Sequence, residues 1–240
     1  MGRNLLLISN STLHGSGYLD HCESEIKSFL NDKDVESVLF IPYARPSGKT
    51  YDEYTGIAKE RFQRMGFDLV GIQERVDSDD AVRNAEAIFI GGGNTFVLLD
   101  SLYGVDIIPI IKARVRNGMP YIGTSAGANV AGRTIMTTND MPIIYPPCFD
   151  AMGLIPFNIN PHYIDSDPNS KHMGETRETR IREYHVFNDN TVVGLREGAM
   201  LHVKNNEATL KGSTGARIFR KGKEPTEYRP GESLDFLLTN

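Results

Sequence analysis

A serine flanked by glycines is the strongest chemical signal in the sequence. Residues 123–127 read Gly-Thr-Ser-Ala-Gly, which places Ser125 at the centre of a G-x-S-x-G motif. Apolar residues 120–122 precede the motif, and residues 128–131 after it are compatible with a helix. A serine on a tight turn between a strand and a helix is typical of the nucleophile of acyl hydrolases. We therefore predict that Ser125 is a nucleophile, against the alternative of an ordinary glycine-rich turn.

A second glycine cluster, residues 91–93, also follows an apolar run. In hydrolases of this type the oxyanion hole combines the N–H that follows the nucleophile with an N–H from another strand-end loop. The sequence therefore predicts Ala126 and Gly92 as the two donors. The competing dinucleotide-binding pattern G-x-G-x-x-G fails in this cluster because Phe96 stands where the third glycine is needed.

A serine nucleophile needs a base, and the chain has six histidines. His162 lies in a proline-rich, irregular segment after the serine (residues 134–170), and long segments of this kind inside a domain are usually functional. His14, which follows the first apolar run, is the best alternative base. A carboxylate must also orient the base. Spacing does not choose among the four candidates for this role, which are Asp140, Asp165, Asp167 and Glu197.

The elements that would position these groups alternate along the first half of the chain. Short apolar runs at residues 4–9, 37–41, 67–72, 87–90 and 120–123 predict buried strands. Amphipathic stretches at 18–30, 51–65, 79–85 and 95–116 predict helices, the last broken at Gly104. This alternation indicates an α/β fold with a mainly parallel sheet between helices. Short strands at 191–195, 200–204, 208–211, 217–220 and 226–228 predict a C-terminal antiparallel extension, at the edge of the same sheet or as a flap on it.

Composition limits the partners that the protein can have. The 240 residues carry a net charge of −5, and Lys and Arg are spread along the chain, so we expect no nucleic-acid partner. No apolar run approaches the ~20 residues that span a membrane, so we expect no membrane contact and a cytoplasmic location. Cys22 and Cys148 are expected to be reduced thiols rather than metal ligands. Ordinary composition without a linker predicts one domain over residues 1–240.

Four short motifs occur in one order along the chain. They are residues 91–94 (Gly-Gly-Gly-Asn), 123–129 (Gly-Thr-Ser-Ala-Gly-Ala-Asn), 160–162 (Asn-Pro-His) and 174–178 (Gly-Glu-Thr-Arg-Glu). Together they resemble peptidase E, the α-aspartyl dipeptidase family, and the resemblance covers most of the chain. It implies a flavodoxin-like fold similar to class I glutamine amidotransferases. Those more distant relatives have a cysteine nucleophile and a carboxylate two residues after the histidine. This chain has Ser125 and Ile164 at those places, so glutaminase activity is not expected.

The resemblance also implies roles for individual residues. The nucleophile corresponds to Ser125 and the base to His162, while Asp140 matches a charge-relay position and Glu197 a rival position for the acid. Arg177 matches a position that binds the β-carboxylate of the substrate; without the resemblance, it would be taken for a helix-surface arginine in an ion pair. The implied reaction is hydrolysis of dipeptides with an N-terminal aspartate, with a small acidic dipeptide as the partner and with no metal or organic cofactor.

Two other interpretations stay open at this point. One is a serine acyl hydrolase of different specificity, such as an esterase or another peptidase. The other is a non-catalytic flavodoxin-like binding module. If loop geometry differs from that of the resembled family, Arg180 or Arg45 would replace Arg177 as the cation for the carboxylate.

Overall fold

A computed structural model of the protein describes residues 2–166 and 174–239. In chain order its elements are β1 (Asn4–Ile8), α1 (Glu23–Asn31), β2 (Ser37–Ile41), α2 (Tyr51–Met65), β3 (Asp68–Gly71), α3 (Ser78–Asn84), β4 (Ala87–Ile90), α4 (Thr95–Gly104), α5 (Ile108–Arg116), β5 (Pro120–Thr124), α6 (Ala126–Asn129), β6 (Asn158–Tyr163), α7 (Arg177–Phe187), β7 (Val192–Arg196), β8 (Ala199–Lys204), β9 (Glu207–Gly212), β10 (Ala216–Phe219) and β11 (Thr226–Tyr228).

Seven strands form the main sheet, in the order β3-β2-β4-β5-β1-β8-β9. The first five of these pair in parallel, and β8 and β9 add an antiparallel edge. Every residue of β1, β4 and β5 is buried. Strands that are buried on both faces must be apolar along their whole length, which is the pattern that the sequence shows. The predicted α/β class with a mainly parallel sheet is confirmed.

Strand β1 shows how helices cover both faces of this sheet. Leu5 and Leu7 belong to one buried cluster together with residues of α4 and α5. Leu6 and Ile8 point to the opposite face and belong to a second cluster with residues of α1 and α2. Successive side chains of a strand face opposite sides of the sheet, so a continuous run of leucine and isoleucine builds two cores at once.

Four strands form a second sheet, in the order β11-β10-β7-β6. Strands β6 and β7 pair in parallel, while β10 is antiparallel to both β7 and β11. All five predicted C-terminal strands are present, and they divide between the two sheets: β8 and β9 extend the edge of the main sheet, whereas β7, β10 and β11 belong to the second. Two residues, Glu197 and Gly198, connect β7 in one sheet to β8 in the other.

One element that carries the site differs from the sequence prediction. Strand β6 lies inside the segment that was expected to be irregular, because its regularity comes from pairing with β7, about 30 residues later in the chain. The predicted helix over 95–116 is two helices, with the break after Gly104 where it was expected. Among the residues that the structure describes, no helix is long and apolar enough to cross a membrane.

Candidate active site

Ser125 stands at the carboxyl end of β5 and occupies the position just before the short helix α6. Its backbone has a φ of 53°, an uncommon conformation for a residue with a side chain. The flanking glycines leave room for this turn. A Cβ atom at Gly123 would lie 2.4 Å from the carbonyl oxygen of Gly127, and one at Gly127 would lie 2.2 Å from the carbonyl oxygen of Ile90. The sharp strand-to-helix turn that the motif predicts is therefore the turn that the structure has.

His162 faces this serine from the end of β6. Its Nε2 atom lies 2.8 Å from Ser125 Oγ. The pairing of β6 with β7 shifts register between Pro161 and Tyr163, so His162 is the extra residue of a β-bulge, and its φ is 52°. A bulge frees a residue from the regular ladder and turns its side chain in a new direction. His14, the alternative base, is exposed in the loop after β1 and makes no hydrogen bond to Ser125.

The carboxylate of Glu197 lies against the other ring nitrogen of His162. Its Oε1 atom lies 2.7 Å from His162 Nδ1. An ionised carboxylate can only accept a hydrogen bond, so Nδ1 carries the ring proton and Nε2 is left to accept the hydroxyl proton of Ser125. The carbonyl oxygen of Glu197 accepts a hydrogen bond from Thr214 Oγ1 at 2.6 Å, which fixes the turn that carries the carboxylate. Ser125, His162 and Glu197 thus form one continuous hydrogen-bonded chain.

Asp140, the acid that the resemblance places in the charge relay, makes no hydrogen bond to His162 in the structure. Asp140 Oδ2 accepts hydrogen bonds from the N–H of Thr95 at 2.7 Å and from Thr95 Oγ1 at 2.6 Å, and Thr138 Oγ1 donates to it at 3.1 Å. Thr95 is the first residue of α4, so the carboxylate caps that helix, where backbone N–H groups lack partners.

Asp165 does not bond the base either. Asp165 accepts two hydrogen bonds from the guanidinium of Arg196, at 2.7 and 2.8 Å, and these bonds hold the pKa of Asp165 below its usual range. Asp167 lies outside the described residues.

The expected oxyanion hole is only partly available. The N–H of Ala126, at the first position of α6, has no partner among the residues that the structure describes. Gly92 lies where it was expected, since a Cβ atom added to it would be 3.0 Å from Ser125 Cβ. Its N–H, however, donates to the hydroxyl of Tyr54 at 3.1 Å. The N–H of Gly92, predicted as an oxyanion donor, is therefore already engaged by a side chain that the sequence did not indicate.

Tyr54 is the neighbour of the site that sequence reasoning missed. It is buried in α2, its ring packs edge-on against Phe40, and the guanidinium of Arg45 lies 4.5 Å from its centroid. Its hydroxyl reaches Gly92 over 38 residues of sequence. No local motif marks this contact, because a tyrosine on the apolar face of a helix normally only packs in the core.

Arg177 begins α7 and is half-buried. Burial lowers the pKa of its guanidinium, the charge of Arg180 lowers it further, and the negative charge of Asp140 opposes both. Arg177 therefore lies within electrostatic reach of Asp140, and it makes no ion pair with any of the described residues. Arg180 is exposed and lies 3.7 Å from Glu175. Within residues 2–166 and 174–239, no group of three or more potential ligands is placed to hold a metal ion.

Comparison with known proteins gives consistent results. The sequence matches Peptidase family S51 over residues 5–211. It is 46% identical over 237 residues to a probable alpha-aspartyl dipeptidase of Drosophila melanogaster, covering 98% of each chain. It is also 46% identical over 235 residues to a peptidase E of Streptomyces coelicolor, covering 98% of this chain and 95% of that one. The fold is similar to a peptidase from an acI-B1 Actinobacterium, with a TM-score of 0.75 and 19% identity over 98% of this chain and 97% of the other.

Proposed function

This chain belongs to peptidase family S51, and from that premise we propose that it is a serine dipeptidase that hydrolyses dipeptides with an N-terminal aspartate. The resemblance seen in the four sequence motifs is confirmed. One observation carries the proposed chemistry: a serine on a strained turn lies 2.8 Å from a histidine whose other nitrogen lies 2.7 Å from a carboxylate. That arrangement activates a serine for attack on a carbonyl group.

The proposed reaction begins when His162 Nε2 accepts the hydroxyl proton and Ser125 Oγ attacks the peptide carbonyl. Glu197 stabilises the imidazolium that forms, without taking its proton. The N–H of Ala126 and an N–H of the loop at 91–93 would hold the oxyanion. His162 then donates the proton to the leaving amine, which leaves an acyl group on Ser125. A water molecule, deprotonated by His162, attacks this ester, and His162 returns the proton to Ser125 Oγ as the aspartate is released.

Because the Gly92 N–H is bonded to Tyr54, there are two candidates for the second oxyanion donor. Either that bond is shared as negative charge develops on the substrate, or the neighbouring N–H of Gly93 takes the role. The Gly93 N–H has no partner among the residues that the structure describes. Helix α6 spans only four residues, so its dipole adds little and the individual N–H groups must carry the stabilisation.

The preference for aspartate rests on Arg177 and on the relatives that carry the name alpha-aspartyl dipeptidase. A substrate carboxylate loses water when it enters a site, and a fixed cation must compensate for that loss. A guanidinium suits this role because it can hold a carboxylate through two parallel hydrogen bonds. Arg177, half-buried at the start of α7, is our choice.

The direct test is hydrolysis of Asp-Leu beside Asn-Leu, Glu-Leu and Leu-Leu by the purified protein. We expect Asp-Leu to be cleaved with a kcat/KM at least about 100-fold above that for Asn-Leu, because an unpaired charge in the pocket is costly. Cleavage of all four at similar rates would indicate a hydrolase of different specificity. No cleavage, together with no reaction of Ser125 with a fluorophosphonate, would favour a binding module.

A further inference from the structure

Strand β1 and the two residues after it lie directly behind the Ser125–His162–Glu197 chain. The carbonyl oxygen of Ile8 accepts a hydrogen bond from the N–H of Ser125 at 3.0 Å. The hydroxyl of the next residue, Ser9, accepts one from the N–H of His162 at 2.9 Å. Two consecutive residues therefore hold the backbones of the nucleophile and the base, which belong to different sheets.

Asn10 makes the corresponding contact with the acid. Its side-chain Oδ1 accepts a hydrogen bond at 2.8 Å from the N–H of Gly198, the residue after Glu197. Its Nδ2 donates to the carbonyl oxygen of Thr12 at 2.9 Å, which fixes the orientation of the amide. Gly198 has a φ of 83°, so this bond stabilises the turn that leads from Glu197 back into the main sheet.

We propose that residues 8–10, at the end of β1, position the three catalytic groups relative to one another. Within this segment, the placement of His162 depends on the side chain of Ser9. This inference rests on the proposed function. None of the three residues is assigned contact with the substrate, so they are positioning residues and not catalytic ones.

Ser9 has a specific reason to matter. The bulge at His162 removes its N–H from the ladder with β7, and a positive φ on a residue with a side chain persists only where the surroundings enforce it. Ser9 is fully buried, and its single hydroxyl accepts from His162 while donating to the carbonyl oxygen of Leu195 at 2.8 Å. It joins both strands at the bulge. Without it, the N–H of His162 and the carbonyl oxygen of Leu195 each lose this hydrogen bond.

Loss of this hydroxyl should displace the imidazole without changing the substrate pocket. A shift of a fraction of an ångström between Nε2 and Oγ slows proton transfer, while substrate binding is unaffected. For Ser9→Ala we therefore expect kcat for Asp-Leu to fall about 10- to 100-fold with KM changed less than about 3-fold. The rate at which a fluorophosphonate labels Ser125 should fall by a similar factor.

Thr137→Val is the matched control. Thr137 is buried, and its hydroxyl donates at 2.9 Å to the carbonyl oxygen of Ile159, three residues before His162 on the same strand. Both substitutions remove one buried hydroxyl that bonds to the backbone of β6, but only Ser9 contacts the bulge. Both variants should lower the unfolding temperature, Ser9→Ala more than Thr137→Val, because Ser9 makes two hydrogen bonds and Thr137 one. Only Ser9→Ala should lower kcat and the labelling rate.

A third readout needs no substrate. The proton on His162 Nδ1, hydrogen-bonded to Glu197, should give a far-downfield proton NMR signal that shifts or broadens in Ser9→Ala and is unchanged in Thr137→Val. If the wild type reacts with the fluorophosphonate but does not cleave Asp-Leu, the dipeptidase proposal fails and the labelling rates still decide the role of Ser9. If the wild type does neither, the NMR comparison decides it.

Equal losses in the two variants, or no loss in Ser9→Ala, would overturn the proposal. If Ser9→Ala does not fold, Asn10→Ala replaces it in the same comparison. That variant removes the acceptor of the Gly198 N–H and should also lower kcat more than KM; a kcat unchanged in folded Asn10→Ala would likewise overturn the positioning role.

Discussion

In the main sheet, Ser125 stands one residue beyond a strand that is buried along its whole length, on a turn formed by its own neighbours in sequence. In the second sheet, His162 sits on a bulge, and Glu197 sits on the connection that leaves that sheet. The nucleophile is presented by a local turn within the main sheet, whereas the base and the acid are held by contacts between the two sheets.

This difference has a physical cause. A tight turn needs only small residues at fixed positions, so a five-residue motif can encode it. A bulge needs a partner for the N–H that leaves the ladder, and that partner can come from anywhere in the chain. Here it is Ser9, 153 residues before His162. The placement of His162 and Glu197, the second-sheet half of the site, therefore depends on the docking of the two sheets. The placement of Ser125, the main-sheet half, does not.

The largest expected effect concerns the main-sheet half. Ser125→Ala removes the nucleophile while the turn, set by its glycines, is kept. We expect kcat/KM for Asp-Leu to fall about 10³- to 10⁶-fold, as in other serine hydrolases, with little change in unfolding temperature. Steady-state kinetics and thermal unfolding measure the two quantities. Activity within about 10-fold of wild type would mean that the turn does not carry the nucleophile.

A smaller effect is expected from the substrate cation at the start of α7. Arg177→Ala should lower kcat/KM for Asp-Leu by about 2–5 kcal/mol of transition-state binding, toward the lower end because Arg177 is half-buried and partly screened. The loss of kcat/KM for Asn-Leu should be much smaller. Arg180 is an exposed arginine on the same helix, so Arg180→Ala is the matched control. It should change kcat/KM for neither substrate. Proportional losses on both substrates would make Arg177 a structural residue.

The smallest expected effect is that of removing an ion pair in the second sheet, next to the site. Asp165 follows β6, is about half exposed and pairs with Arg196 of β7, so Asp165→Asn should lower the free energy of unfolding by only about 0.5–1 kcal/mol at pH 7. The folded protein holds the pKa of Asp165 below its usual value. The ion pair therefore contributes fully to stability when the pH is above the usual pKa of an aspartate, and this contribution disappears as the pH falls through the lower pKa of the folded state.

Urea unfolding of wild type and variant at pH 7 and at successively lower pH tests this expectation. The difference between them should shrink below about pH 4. A difference that grew on acidification would show that the pKa shift of Asp165 has the opposite sign.

The sequence predicted what local rules determine. Continuous apolar runs predicted the buried strands, and Gly123 and Gly127 predicted the turn at Ser125, because a Cβ atom at either would collide with backbone. His162 was identified from its position in an unusual segment and from resemblance, without any prediction of the strand that holds it.

The acid could not be chosen from sequence because its distance from the base is fixed by the second sheet. Asp140 lies closer to His162 in sequence, yet it caps α4, and Glu197 reaches the base only because β6 and β7 pair in parallel. The same limit explains Tyr54: its bond to Gly92 joins residues that no periodicity relates. Contacts of this kind become visible only when the sheets are assembled.

The most direct test of the account is kcat for Asp-Leu in Glu197→Gln and Asp140→Asn. A glutamine can donate its amide hydrogen to Nδ1 and stabilise the wrong tautomer, so Glu197→Gln should lower kcat about 10²- to 10³-fold, less than for a fully buried acid because Glu197 is half exposed. An asparagine can still accept the Thr95 bonds, so Asp140→Asn should lower kcat less than about 10-fold. The reverse ranking would contradict the Ser125–His162–Glu197 assignment.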